Sequence, residues 1–341
     1  MYFLSHQRLF HIAIASTAVL LLASMLICQA REQPYVIATA TPGGTYYPVG
    51  VAIATLIKVK LAPEEISLTA IRSAGSRENL ELLRNNQAQF AILQGLFGAW
   101  AWHGDGPMQA AGPHKNLRAI TTLWQNVEHF TVDASFTRTG NITELRHLQG
   151  EPFSIGQKNS GAEGSGRYLL NRLGIAPKET LELVHLSYGP SAEALQSGTI
   201  KGMNTPGGVP VAAVSQAFAA LRDKLVILGF SEEQLQQINS EYDLWKRFVI
   251  PANTYESQSK AVNTIAQPNF LAVRSDIDAD TVYLITKTIY ANLSFLNNVH
   301  KATKIMALNK ALNDLPIPLH PGAARYYKEV GITIPEERVV E

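Results

Sequence analysis

Four short stretches pair glycine with small or hydroxyl side chains: "TPGGTYY" (41–47), "SAGSREN" (73–79), "NSGAEGSG" (159–166) and "TPGGVP" (205–210). Each follows an apolar strand-like run and opens onto a helical pattern. The chemistry that suits such loops is anion recognition. A helix amino terminus carries unpaired N–H groups and a partial positive charge, glycine keeps a Cβ out of the way, and Ser or Thr adds a hydroxyl donor. A tight strand-to-helix turn is the plainer explanation of any single loop. Four of them, spread over both halves of the chain, suggest one ligand facing several helix ends.

Charged partners for an acidic ligand are sparse near these loops. Arg72 precedes the second loop and Lys158 the third, and either could pair with a carboxylate or simply be a solvated strand-end side chain. Glu163 could accept an ammonium group or complement a helix amino terminus. Tyr46, Tyr47 and Tyr188 are placed to wall a cleft, and Tyr47 equally suits a helix core position.

Enzymatic signatures are missing from the sequence. There is no G-x-S-x-G elbow and no G-x-x-x-x-G-K-[ST] loop, and the glycines of "GAEGSG" do not have dinucleotide-binding spacing. The 9 histidines are scattered without H-x-x-x-H spacing, and the 1 cysteine offers no zinc partner. His103, His129 and His185 read better as structural histidines than as catalysts. The residues therefore give no support to an enzyme, a cofactor or a metal.

The elements that position the loops alternate. Tyr35–Ala38, "ISLTAIRS", "AQFAILQ", "EPFSIGQ", "ELVHLS", "IKGMN" and "KLVILGF" read as strands. Residues 46–59, 76–86, "AEGSGRYLLNRLG", "SAEALQSG" and "VPVAAVSQAFAAL" read as helices, with Gly174 closing the third. Such alternation predicts α/β architecture with parallel sheets, in which ligands sit beyond the carboxyl ends of the strands.

Composition is ordinary for a well-filled globular core: 341 residues, 46% hydrophobic, 17% charged, net charge +1. The length is comfortable for two domains, and the balanced charge gives no support to a nucleic-acid partner. Residues 1–30 differ from the rest. Arg8, their only formally charged side chain, precedes an apolar run over 12–28 that ends near the small residue Ala30. That pattern predicts export into the periplasm with cleavage after Ala30, an uncleaved inner-membrane anchor being the alternative. A lipoprotein reading of Cys28 meets Ile27 where a small residue is wanted.

Taken together, "IATATPGGTYYPVGVAIATLI", "SAGSRENLELLRNNQAQFAILQ", "GQKNSGAEGSGRYLLNRLGI" and "LHPGAARYYKEVG" resemble, in order and spacing, the TAXI-type solute-binding subunits of TRAP transporters. The resemblance covers residues 35–331. It implies a bilobed, type II-like periplasmic-binding-protein fold with two parallel-sheet α/β lobes and a two-segment hinge. It also implies delivery of a small organic acid, glutamate-like or a dicarboxylate, to a membrane permease. By the same resemblance Gly43, Gly44, Thr45 and Tyr46 face the cleft beside Ser73, Gly75, Ser76 and Asn79. From the other lobe come Ser160, Gly161, Ala162, Glu163, Thr205, Gly207 and Gly208. Ala162 stands where the family often has threonine, and Val209 where an aromatic residue is frequent. Both departures bear on selectivity.

The implied lobes are 31–127 with 260–341, and 128–259, with crossings near 124–129 and 254–262. A membrane-tethered sensor, or a binding subunit of a different transporter, would use the same fold. An extracytoplasmic enzyme on a two-lobed scaffold is the third class.

Overall fold

The structure, a computed structural model, describes residues 34–339. The expected leader at 1–30, with Arg8 and Cys28, lies outside these residues. Among the described residues no helix is long and apolar enough to cross a membrane.

The expected alternation is present. β1 (Tyr35–Ala38) leads into α1 (Tyr46–Lys60), β2 (Leu68–Ile71) into α2 (Ser76–Arg84), and β3 (Phe90–Gln94) into α3 (Gly95–His103). After β4 (Leu117–Val127) and β5 (Phe130–Asp133), β6 (Pro152–Ser154) leads into α4 (Gly161–Arg172) and β7 (Glu182–Val184) into α5 (Tyr188–Gln196). Next, β8 (Gly202–Asn204) leads into α6 (Ala212–Leu221), followed by β9 (Leu225–Ile227), β10 (Lys246–Ile250) and β11 (Val262–Arg274). The chain then forms α7 (Ala279–Ala291) and α8 (Pro321–Glu329). Helix α3 has no polar face to reveal its period: Leu96, Phe97, Ala99, Trp100 and Ala101 are all buried. An all-round apolar segment of that kind escapes an amphipathic reading.

The strands form two sheets. One has the order β10-β11-β3-β1-β2, with β4 also paired to β11; the other has the order β7-β6-β8-β5-β9. Among the paired strands, parallel ladders occur within the βα units, β1 with β2 and β3, and β6 with β7 and β8. Strands reached by crossing between the sheets run against their neighbours: β11 is antiparallel to β3, β4 and β10, and β5 to β8 and β9. Both sheets are therefore mixed, whereas alternation alone predicts parallel ones. A strand that returns from the other sheet does not enter through a right-handed crossover helix, so its direction is free to reverse.

Local chemistry sets the helix ends. The Ser160 hydroxyl accepts from the Glu163 amide at 3.0 Å and caps α4, and Gly174 (φ 67°) ends that segment in the left-handed region. The Asp278 carboxylate caps α7 by accepting from the Asp280 and Thr281 amides. Strand β3 is buried along its whole length, which explains its apolar run from Phe90 to Leu93.

The sheets are joined where β4 passes into β5 and where β11 begins. Val127 and Gly207 exchange two backbone hydrogen bonds of 2.9 Å, and the Glu128 amide donates to Ile265 O at 2.9 Å. The Phe230 amide donates to Asn263 O at 2.8 Å. Strand β10, which lies inside the 128–259 segment, pairs with β11 in the first sheet, so that sheet receives the chain before the crossing expected near 254–262.

Candidate functional site

Between the two sheets lies a cavity of about 40 Å³, lined by the starts of four helices. Gly44, Thr45 and Tyr46 come from the entry to α1, and Ala74, Gly75 and Ser76 from the entry to α2. Ser160, Gly161 and Ala162 open α4, Tyr188 opens α5, and Pro206 and Gly207 precede α6. Gln94, at the end of β3, and Asn126, near the end of β4, complete the wall with Ala40 and Thr41. First-turn amides have no intrahelical acceptor, so Ser76, Gly161 and Ala162 bring main-chain donors to this space.

Two positions show why glycine is needed here. Gly75 has φ 126°, and a Cβ on it would come within 3.3 Å of the Gly161 amide nitrogen across the interface. A Cβ on Gly161 would sit 2.8 Å from the Gln94 side-chain carbon. The two glycines let the amino termini of α2 and α4 meet almost backbone to backbone.

The first-sheet and second-sheet walls are also hydrogen-bonded to each other. The Ala213 amide donates to Gly43 O at 3.1 Å, and the Glu78 amide to Asn159 O at 3.1 Å. The Tyr188 hydroxyl donates to Pro206 O at 2.6 Å, which fixes its ring over Gly44. The Tyr46 hydroxyl donates to Asn269 Oδ1 at 2.5 Å, and Asn269 Nδ2 donates to Asn126 Oδ1 at 3.4 Å. This relay leaves Asn126 Nδ2 without a partner although the residue is only 1% exposed; Gln94, at 3%, likewise has an unpartnered Oε1. Burial pushes the pKa of Tyr46 and of Tyr188 well up, so both hydroxyls remain protonated donors.

Among the described residues, no charged side chain lines the cavity. Arg72 is exposed, with its guanidinium 5.1 Å from the centre of the Tyr47 ring, and Lys158 is exposed in its loop. Of the other residues singled out in the sequence, Gly44, Thr45, Tyr46, Gly75, Ser76, Ser160, Gly161, Ala162, Tyr188 and Gly207 line the cavity. Gly43, Ser73, Asn79, Glu163, Thr205 and Gly208 stand behind it. The Ser73 hydroxyl donates to Asn79 Oδ1 at 2.6 Å, and Asn79 Nδ2 donates to Thr39 O at 2.8 Å and Ile92 O at 2.9 Å, locking the second loop to the sheet. Glu163 accepts from the Asn159 amide at 3.0 Å and pairs with Arg167 at 3.3 Å. Thr205 donates its amide to His129 O, and Gly208 is held by Thr45.

Sequence reasoning passed over Gln94 and Asn126. A polar residue closing the apolar run of "FAILQ" marks Gln94, whereas Asn126, one of several polar residues in "LRAITTLWQNV", carries no comparable signal.

The crossing segment beneath the cavity holds two buried ionisable groups. The His129 ring lies 2.8 Å from both Val127 O and the Tyr255 hydroxyl, and burial pushes its pKa down to about 4. The imidazole is therefore neutral, with Nδ1–H donating to Val127 and Nε2 accepting from Tyr255. The Glu128 carboxyl is fully buried, 3.5 Å from Trp245 Nε1, and desolvation pushes its pKa up to about 8 against the opposing effect of Trp245 and Gln267.

Two mixed sheets, crossing strands and a cavity walled by helix starts from both sides define the fold of the bilobed periplasmic binding proteins. It is the fold of MatC from Rhodopseudomonas palustris, solved with bound malate, at 14% identity and a TM-score of 0.54 over 87% of this chain and 98% of that one. A Bordetella bronchiseptica RB50 structure matches at 13% identity and a TM-score of 0.50, over 90% of this chain and 86% of that one. The alkanesulfonate-binding protein SsuA from Xanthomonas axonopodis pv. citri, bound to MOPS, aligns at 11% identity with a TM-score of 0.47, over 87% of this chain and 90% of that one. The chain itself belongs to the NMT1-like family, which it matches over residues 37–331.

Proposed function

We propose that this protein is an extracytoplasmic solute-binding protein of the TAXI type, which captures a small organic acid between two lobes and hands it to a TRAP-type permease. The observation that carries the reading is the buried meeting point of the α1, α2, α4 and α5 amino termini, with Asn126 Nδ2 unpartnered at its wall. Main-chain amides in a water-poor space favour a carboxylate by more than the 0.3–1 kcal/mol, roughly, that an exposed helix terminus gives. The ligand contacts are Gly44, Thr45, Tyr46, Gly75, Ser76, Ser160, Gly161, Ala162 and Gly207; the remaining residues of the four loops support them from behind. The lobes are 31–127 with 260–341, and 128–259, with β10 of the second segment paired to β11 of the first sheet, and they close about the crossing segments. The leader carries the body into the periplasm, and the resemblance of the loop signatures supports the permease partner.

A thermal-shift screen of the purified protein against organic acids, amino acids, sugars and metal ions tests the binding step. An acid at 100 times its dissociation constant adds about 2.7 kcal/mol of stability, an easily visible rise in melting temperature. Stabilisation by sugars or metal ions, with none by any acid, contradicts the reading. Delivery is tested by uptake into vesicles carrying the partner permease, expected only when the binding protein is added.

A further inference from the structure

The walls of the cavity narrow the acid further, on the footing that the proposed acid site is correct. We infer that the ligand is a short monocarboxylate carrying one hydroxyl group, a two- or three-carbon 2-hydroxy acid, with Asn126 and Gln94 as its selectivity residues. Three features lead there.

The first is charge. No cationic side chain among the described residues lines the cavity, so negative charge there is met by neutral donors, the main-chain amides, Asn126 Nδ2 and the hydroxyls of Thr41, Ser76 and Ser160. One carboxylate can share the first-turn amides of α2 and α4. A second would enter a buried space with no counter-charge, which is unfavourable.

The second feature is the pairing left open. Asn126 is oriented by Asn269, whose own carbonyl is held by Tyr46, so the free Asn126 group is a donor directed at an acceptor on the ligand. Gln94 adds a side-chain amide at the same wall with an unpartnered Oε1, which a ligand hydroxyl can satisfy by donating. The Tyr46 and Tyr188 hydroxyls already donate within the protein. A hydroxyl next to a carboxylate satisfies both amides. An α-ammonium group would bring a full positive charge and three N–H donors to a wall without a carboxylate.

The third feature is size. The 40 Å³ interior holds about three water molecules at roughly 10–15 Å³ each, corresponding to about 90 Å³ of liquid. That space suits an acid of two or three carbons and is small for a five-carbon one.

Isothermal titration of the purified protein with glycolate, both lactate enantiomers, propionate, malate and glutamate tests the inference. Glycolate or one lactate is expected to bind at least tenfold more tightly than malate, glutamate and propionate. Gln94→Leu is expected to bring the lactate-to-propionate affinity ratio within threefold of unity, a change that a purely structural loss does not produce. Asn126→Leu is expected to weaken lactate and propionate alike by tenfold or more. If a variant fails to fold, the wild-type ranking still decides. Malate or glutamate as the tightest ligand overturns this inference and leaves the acid-binding reading standing. Propionate equal to lactate overturns the role of Gln94, and no binding of any acid overturns both the inference and the reading beneath it.

Discussion

The Thr45 hydroxyl donates to Gly208 O at 3.2 Å and the Gly208 amide donates back to it at 3.0 Å, so one side chain clasps the start of α1 to the loop before α6. Thr45 is 2% exposed, and its loss would leave the Gly208 amide and carbonyl unmatched in a dry interface. Thr45→Val keeps the shape and removes the clasp. It is expected to lower stability by about 1–3 kcal/mol and to weaken ligand affinity, since it acts on the joined state of the two walls. Urea denaturation with and without ligand measures both effects. Unchanged stability and affinity would show that the clasp contributes nothing.

The crossing segment predicts a pH optimum of stability. The folded pKa of Glu128 is raised to about 8 from an ordinary value of 4.5, so the native state holds a proton that the unfolded chain releases between those values. Its stabilising contribution is complete below pH 4.5 and is lost as pH rises through 8, at up to about 1.4 kcal/mol per pH unit. His129 and His114, both pushed down to about 4 by burial, act in the opposite sense: their contribution is present above 6.5 and lost as pH falls toward 4. Stability should therefore peak near pH 6.5 and decline toward 8. Denaturation midpoints of wild type and Glu128→Gln at pH 5, 6.5 and 8 test this. The alkaline decline is expected to vanish in the variant, and its persistence there assigns it to another group.

Gly161 gives a test of the cavity's geometry. Alanine suits the first turn of a helix, but its Cβ would lie 2.8 Å from the Gln94 side-chain carbon. Gly161→Ala is expected to change the melting temperature of the ligand-free protein by only a few degrees while weakening acid binding at least tenfold. Calorimetric titration reads the affinity. Wild-type affinity in a folded variant places the ligand away from the α4 start.

The sequence made the strand–loop–helix units legible because each loop announces itself through glycine and hydroxyl residues, and ten of the residues singled out there do line the cavity. Other features depended on tertiary context. Arg72 looked available for a carboxylate, but its strand-end position turns it outward over Tyr47. Gln94 and Asn126 sit at the ends of buried strands, where only the partnering of neighbours such as Asn269 reveals that an amide has been left unsatisfied. The antiparallel entry of β11 was hidden for a related reason: periodicity reports which residues are buried and not the direction from which a strand arrives.

Binding of an acid where the helix starts converge is best probed at Gly44. This residue lines the cavity with a backbone conformation open to other residues, and a Cβ on it would stand 3.2 Å from the Tyr188 ring. Gly44→Ala adds that methyl group alone; Gly44→Asp adds a carboxylate at the entry to α1 as well, where it competes with the ligand's own. The measurement is the affinity of the two variants, by calorimetry, for whichever acid the wild type binds most tightly. Alanine is expected to cause at most a modest loss, and aspartate to abolish detectable binding in a protein that still folds. A folded Gly44→Asp protein that binds the acid with wild-type affinity contradicts binding at the helix starts, because the ligand then lies elsewhere.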